Sequence, residues 1–429
     1  MPRKLAQPRV GPSEGAAGFA RLGRSGYGAG FWVCAAAFLL AMAFSTLPTP
    51  LYVLYQQRDG FSSFVVTIVF CVYAVGVVAS LLLAGHVSDW IGRKRVMIPA
   101  LAILVLSAVI FLVWPALPGL IVARLVNGIG IGLMTATATA YLRDLDSMSR
   151  PGAGPARFEV VDTAANLGGL GVGTLVAGAL AQFLPSPLKV PYAVFAVLLV
   201  VSIAGLALVP ETVRPPAVRP RYRPQRITIG HADRASYSIA VGGAFVGFAV
   251  FGLFTSLAPE FVGSAVHHPS HLLAGVASFI CFGAAAVAQT ATGAVGNRSR
   301  LLLGVAAEAV GLVIVAVGME DANLAGFLVG GGLAGAGAGV LFKSAVATLL
   351  DTAEPATRSE AAAGLFLFAY LGMTIPILGI GIATLYVTAQ TAMLFFAGAL
   401  LVALIAIALL VLRPRGGKVS PALLRDEDG

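Results

Sequence analysis

Gly85-His86-Val87-Ser88-Asp89-Trp90-Ile91-Gly92-Arg93-Lys94-Arg95 is a short polar interruption between two long apolar blocks, residues 64–84 and 96–114. Its glycines permit a tight turn and close helix approach. Asp89 can face a helix N-terminus, where a negative charge is stabilised by up to about 1 kcal/mol. Arg93 can reach an acid on a neighbouring helix. The basic cluster that closes the stretch marks a loop retained on the inner side of a membrane.

The flanking blocks recur along the chain. A helix crossing ~30 Å of hydrocarbon needs about 20 apolar residues. Twelve segments qualify: 31–55, 64–84, 96–114, 117–141, 160–184, 190–210, 236–259, 272–295, 301–319, 323–350, 361–384 and 389–412. They are too long for strands and do not alternate. Only 11% of the 429 residues are charged and 58% are hydrophobic, with mean hydropathy +0.91. Soluble domains carry roughly 25% charged residues, so a soluble enzyme, a disordered chain and a fibrous protein are excluded. The expected fold class is an all-α polytopic membrane protein with twelve transmembrane helices.

Charge sorts with the loops. The N-terminal tail, the even-numbered loops and the C-terminal tail hold 24 of the 28 lysines and arginines, and only Arg58 and Lys189 fall on the opposite side. Both termini are therefore expected in the cytoplasm. The net charge of +9 reflects topology, with no nucleic-acid partner expected. Residues 1–30 read as a cytoplasmic tail before a retained first span. The longest polar interruption, 211–235, separates a bundle over 31–210 from one over 236–412, leaving a cytoplasmic tail at 413–429. The halves echo each other: Thr46-Leu47-Pro48 resembles Ser256-Leu257-Ala258-Pro259, and Asp89 after span two corresponds to Asn297 after span eight.

The spacing from Gly85 through Asp89 and Gly92 to Arg93-Lys94 resembles the signature loop of the major facilitator superfamily, although Trp90 stands where a basic residue is common. The resemblance implies two pseudo-symmetric six-helix bundles around a central cavity lined by spans one, four, seven and ten. It also implies a conformational latch of Gly85, Asp89, Gly92, Arg93 and Asp144, which closes the cytoplasmic side in the outward-facing state. Arg124-Leu125-Val126-Asn127-Gly128 in span four is similar to the family's Arg, two residues, Gln-Gly pattern, with Asn127 for Gln. This implies a role for Arg124 and Asn127 in proton coupling or substrate contact. The alternative is an arginine snorkelling to the outer surface. Gly169, Gly173, Thr174 and Gly178 in span five resemble the motif of antiporters, with Thr174 in place of proline and Ala177 in place of a glycine. Small residues at this spacing also serve helix packing. Pro210-Glu211-Thr212, closing span six, is a further family-like detail.

Charges inside the second half stand out. Glu308 in span nine and Lys343 in span ten each lie about 7 residues from the cytoplasmic end, roughly 10 Å at 1.5 Å per residue. An ion pair between them is feasible, binding substrate, responding to protons or simply locking the helices. Lys343 also continues a row of small residues, Gly335 and Gly339, at four-residue spacing. Glu159 and Asp162 are cytoplasmic gate residues or compensate the dipole of span five. Tyr52, Tyr73, Asn166 and Gln289 are cavity candidates, and Pro48 and Pro50 are bending points in span one. Cys34, Cys71 and Cys281 read as packing residues. His267, His268 and His271 lack a fourth ligand, so no metal is expected. No Gly-rich phosphate loop is present, hence no cofactor beyond a proton gradient as energy source. No His-rich metal set or nucleophile–base arrangement suggests an enzyme.

The expected function is proton-coupled efflux of a small, fairly apolar compound across a bacterial cytoplasmic membrane. The expected partners are the substrate, protons and the lipid bilayer. A proton-coupled importer of a small anionic nutrient, bound by Arg124 and Lys343, is the alternative, as is a non-transporting membrane receptor of the same fold.

Overall fold

The computed structural model describes residues 14–213, 222–225, 234–264, 270–353 and 358–413. His267 and His268, the cations of both distal tails and most of those in the central linker lie outside the described residues. Every regular element among the described residues is helical. Twelve helices are long and apolar enough to cross a membrane: Ser25–Asp59, Ser63–Ala84, Arg93–Val113, Leu117–Ser149, Ala156–Phe183, Val190–Leu208, Arg234–Ser256, His271–Ala291, Asn297–Glu320, Leu324–Thr352, Glu360–Ala383 and Ala389–Leu412. They are called spans one to twelve below. Each matches an expected segment, with differences at the ends. Span four continues to Ser149 rather than stopping at 141, and the helix of span one starts at Glu14 rather than 31. Hydropathy marks where lipid ends; backbone hydrogen bonding carries a helix on past it.

Helices are the form that satisfies every backbone polar group internally in lipid. Two spans depart from regularity. Span one stops at Thr46, passes through a 3-10 turn over Thr49–Leu51, and resumes as a helix over Tyr52–Asp59. Pro48 and Pro50 cause this, since proline lacks the N–H that would continue the ladder. Span seven repeats the device, ending at Ser256 before a short helix Ala258–Ser264. Span five carries a π-helical turn at Ala164–Gly168, between Thr163 and Gly169.

The two six-helix halves meet through close backbone contacts. A Cβ at Gly275 of span eight would strike the Thr174 carbonyl of span five, and one at Gly178 would strike the His271 carbonyl; within the first half, one at Gly173 would strike the Ala43 backbone of span one. The Thr174 hydroxyl donates to the Gly275 carbonyl at 3.1 Å. The span-five motif thus packs its small residues against spans one and eight. Further hydrogen bonds join the halves at the end remote from the signature loop. Thr49 Oγ1 donates to the Thr255 carbonyl at 3.0 Å, where the two broken spans touch. Ser63 Oγ donates to Glu260 at 2.6 Å, and the His271 backbone N–H donates to Gln182 at 3.0 Å.

Gly173→Val is expected to lower the melting temperature of the detergent-purified protein by several degrees. Gly379→Val, at a position with no heavy atom within 4 Å of the added Cβ, leaves it within about a degree. Equal melting temperatures for the two variants would contradict the packing described.

Candidate functional site

A cavity of about 460 Å³ lies between the halves. Its walls come from spans one, four, seven and ten, as the family resemblance implies, and also from spans two, five, eight and eleven and the start of span nine. It runs from the buried residues Thr49, Arg124 and Thr255 to the exposed Arg143, Glu159 and Leu350. The cavity is therefore sealed at the end where Thr49 meets Thr255 and opens toward the signature-loop end. Its aromatic side chains gather mainly on the C-terminal half, as Phe248, Phe251, Phe282, Phe342, Phe366 and Tyr370. Tyr73, Asn166 and Gln289 line it as expected; Tyr52 stands behind the wall.

Arg124 is only 1% exposed, so it does not snorkel. Span one breaks immediately past Ser45, and the carbonyls of a terminating helical turn lose their i+4 donors. Arg124 Nη1 donates to the Ser45 carbonyl at 2.7 Å, and Nε donates to the Tyr52 hydroxyl at 2.8 Å. Its guanidinium also lies 5.1 Å from the centre of the Tyr73 ring. No carboxylate of the described residues lies within 4 Å of it. Asn127, one turn on, is fully buried with neither side-chain polar atom hydrogen-bonded, and it does not reach the cavity.

Glu308 and Lys343 do not pair. Lys343 Nζ donates to the Gln289 carbonyl of span eight at 2.8 Å and lines the cavity. Glu308 is 0% exposed, lies off the cavity, and has no hydrogen-bond partner on either carboxylate oxygen. Helix rotation explains the difference. Gly337 is the residue of span ten that packs on the Glu308 backbone. Lys343 lies six positions later, roughly 120° around the helix from that face at 3.6 residues per turn. The row Gly335, Gly339, Lys343 instead tracks Cys281, Ala285 and Gln289 of span eight. The expected row holds; its partner is span eight, not span nine.

The signature loop forms a compact charge network. Arg93 donates to Asp89 at 2.5 Å, to Ser88 Oγ at 2.8 Å and to Asp144 at 3.2 Å, so the Arg93–Asp144 contact appears as the resemblance implies. Two expectations fail here. Asp89 does not serve a helix N-terminus: its side chain is 61% exposed and meets Arg93. That role belongs to Glu211, whose carboxylate accepts from the backbone N–H groups of Arg93 (2.9 Å), Lys94 (3.1 Å), Thr212 (2.9 Å) and Val213 (3.2 Å). Gly92 adopts φ +121°, and a Cβ there would lie 2.5 Å from Glu211 Oε2. Nor do the latch contacts mark a closed state: Asp89, Arg93, Asp144 and Glu211 all belong to the first half. Its ion pairs are in place while the cavity opens beside it. The acidic residue after Pro210 was the available signal for Glu211.

The C-terminal half holds a modified copy. Arg300, 6% exposed and opening span nine as Arg93 opens span three, bonds to Asn297 at 2.9 Å and to Ser344 of span ten at 3.2 Å. Among the described residues its hydrogen-bond partners are neutral, where Arg93 meets two carboxylates. At the cavity mouth, Asp162 Oδ1 has no hydrogen-bond partner, and Arg143 lies 5.1 Å from the centre of the Phe158 ring. Among the described residues no group of histidines, cysteines and acids could hold a metal ion.

The family model described as Major Facilitator Superfamily matches residues 33–307. Two solved structures share the fold. A variant of the nucleoside transporter NupG aligns with TM-score 0.68 at 15% identity, covering 89% of this chain and 99% of its own. The human organic anion transporter MFSD10 aligns with TM-score 0.63 at 17% identity, covering 89% and 99%. Among curated proteins no sequence match is found.

Glu211→Gln leaves one acceptor oxygen for four N–H donors, and is expected to destabilise the detergent-purified protein by about 1–2 kcal/mol. Asp89→Asn, touching an exposed ion pair, is expected to change stability by less than about 1 kcal/mol. Thermal unfolding of both reads the order, and the reverse order would refute the assignment of Glu211.

Proposed function

Because the chain belongs to the Major Facilitator Superfamily, a family of secondary transporters, we propose that it exports a small, fairly apolar compound in exchange for protons, in a bacterial cytoplasmic membrane. The observation that carries this reading is the aromatic cavity between two pseudo-symmetric halves, sealed at one end by Thr49 and Thr255 and open at the other. Rocking of the halves about a midplane site, opening that seal as the other end closes, alternates access. With the arginine-rich loops inside, the described conformation faces the cytoplasm, where an exporter loads. Nucleoside and organic anion transporters among the structural neighbours support a small organic cargo.

Proton coupling needs a group whose charge changes during the cycle. Glu308 suits this: a carboxylate with no donor near it is costly to ionise in a dry interior. Cys281 of span eight is its titratable neighbour, and span twelve, beside span nine, holds no charged residue. Asp162, with an unpartnered oxygen on the cavity wall, is a second carrier in this reading. Small residues on span five support the antiporter reading through their resemblance to the antiporter motif.

Proteoliposomes with an imposed pH gradient test this. Gradient-driven flux across a compound panel is expected, with direction read from inside-out against right-side-out vesicles. Glu308→Gln is expected to keep downhill counterflow and lose uphill accumulation by tenfold or more. Flux indifferent to every gradient would overturn proton coupling, and no flux at all would favour a receptor.

A further inference from the structure

The charges on the cavity wall do not balance. Arg124, Arg143, Arg300 and Lys343 face it against Glu159 and Asp162. Both acids lie on the N-terminal half near the mouth, beside Arg143. Among the described residues, the C-terminal half's two cations on this wall have neutral partners only. Arg300 meets Asn297 and Ser344, where Arg93 in the first half meets two carboxylates. Lys343 uses one of its three N–H donors on the Gln289 carbonyl. The acid that acts on Lys343 electrostatically, Glu159, stands on the facing half beyond ion-pair distance.

Lys343 and Arg300 are neighbours, since Ser344, next to Lys343, accepts from Arg300 Nε at 3.2 Å. Phe342, also adjacent to Lys343, packs between Phe248 and Phe366 with ring centres 5.1 and 5.8 Å away. Two cations without carboxylate partners therefore stand at the edge of an aromatic wall. Partly buried charges are stabilised by opposite charge and directed hydrogen bonds. The ligand complementary to this surface has an anionic head and a flat apolar body.

Resting on the reading of this cavity as the transport site, we infer that the cargo is an aromatic organic anion, its negative group held by Lys343 and Arg300. The inference is independent of transport direction. It also narrows the small, fairly apolar compound expected from the sequence: apolar in body, but charged.

Three probes sharing one ring system test it: 2-naphthoate, 2-naphthamide and 2-naphthylmethylammonium, titrated against the full chain in lipid nanodiscs. Naphthoate is expected to bind at least tenfold more tightly than the other two. Lys343→Gln and Arg300→Gln are each expected to weaken it about tenfold, the effect of losing one charge-assisted hydrogen bond. Lys343→Arg keeps the affinity within about threefold, and Lys343→Glu moves the preference toward the ammonium probe. Equal binding of the three by the unmodified protein, or binding of none, overturns the inference without reliance on any variant. Flux of the same probes in vesicles is read separately. Binding of naphthoate without flux would defeat the transporter reading and leave the charge preference standing; flux without charge preference would do the reverse.

Discussion

The interrupted backbone of span one organises the middle of the molecule. Two prolines close together, Pro48 and Pro50, end the helical ladder at Thr46 and turn the chain through Thr49–Leu51 before it resumes. In hydrocarbon, backbone carbonyls without donors are expensive. Arg124 answers the Ser45 carbonyl, and the Tyr52 hydroxyl beyond the break answers Arg124. The same turn brings Thr49 onto the Thr255 carbonyl of span seven, itself about to break. One local defect thus holds a buried cation, closes one end of the cavity and joins the halves.

The halves are related in architecture and different in charge. The first closes its signature loop with carboxylates: Asp89 and Asp144 on Arg93, and Glu211 on the first N–H groups of span three. These groups lie within one bundle, so they stiffen it whether or not the cavity beside them is open. The second half keeps the arginine without an ion pair among the described residues, which leaves Arg300 and Lys343 positive on the cavity wall. Pseudo-symmetry supplies the scaffold, and the difference in charge pairing supplies the asymmetry a binding surface requires.

Much was legible from the linear chain. Hydropathy located the twelve helices because a membrane core demands long apolar segments. The spacing of the Gly85–Arg95 loop pointed to the family and to the Arg93–Asp144 contact. The proline pair marked the break in span one, and the Thr46/Ser256 echo marked the equivalent point in span seven. Four-residue spacing showed that Lys343 shares a face with Gly335 and Gly339. Equal depth, however, misled for Glu308 and Lys343, because depth along parallel axes says nothing about rotation about them. Asp89 was likewise credited with a helix-terminus role that Glu211 performs, more than a hundred residues downstream.

The sequence by itself determined the solvent of this protein, the number of its helices and the break in span one, since burial in lipid and the missing proline N–H act locally. Only the tertiary structure decided which faces meet: that span ten turns Lys343 to the cavity and Glu308 lies alone behind it, that Glu211 reaches Gly92, and that Arg300 hydrogen-bonds only neutral groups among the described residues. These outcomes depend on helix rotation and on contacts between distant segments, which no local pattern of residues encodes.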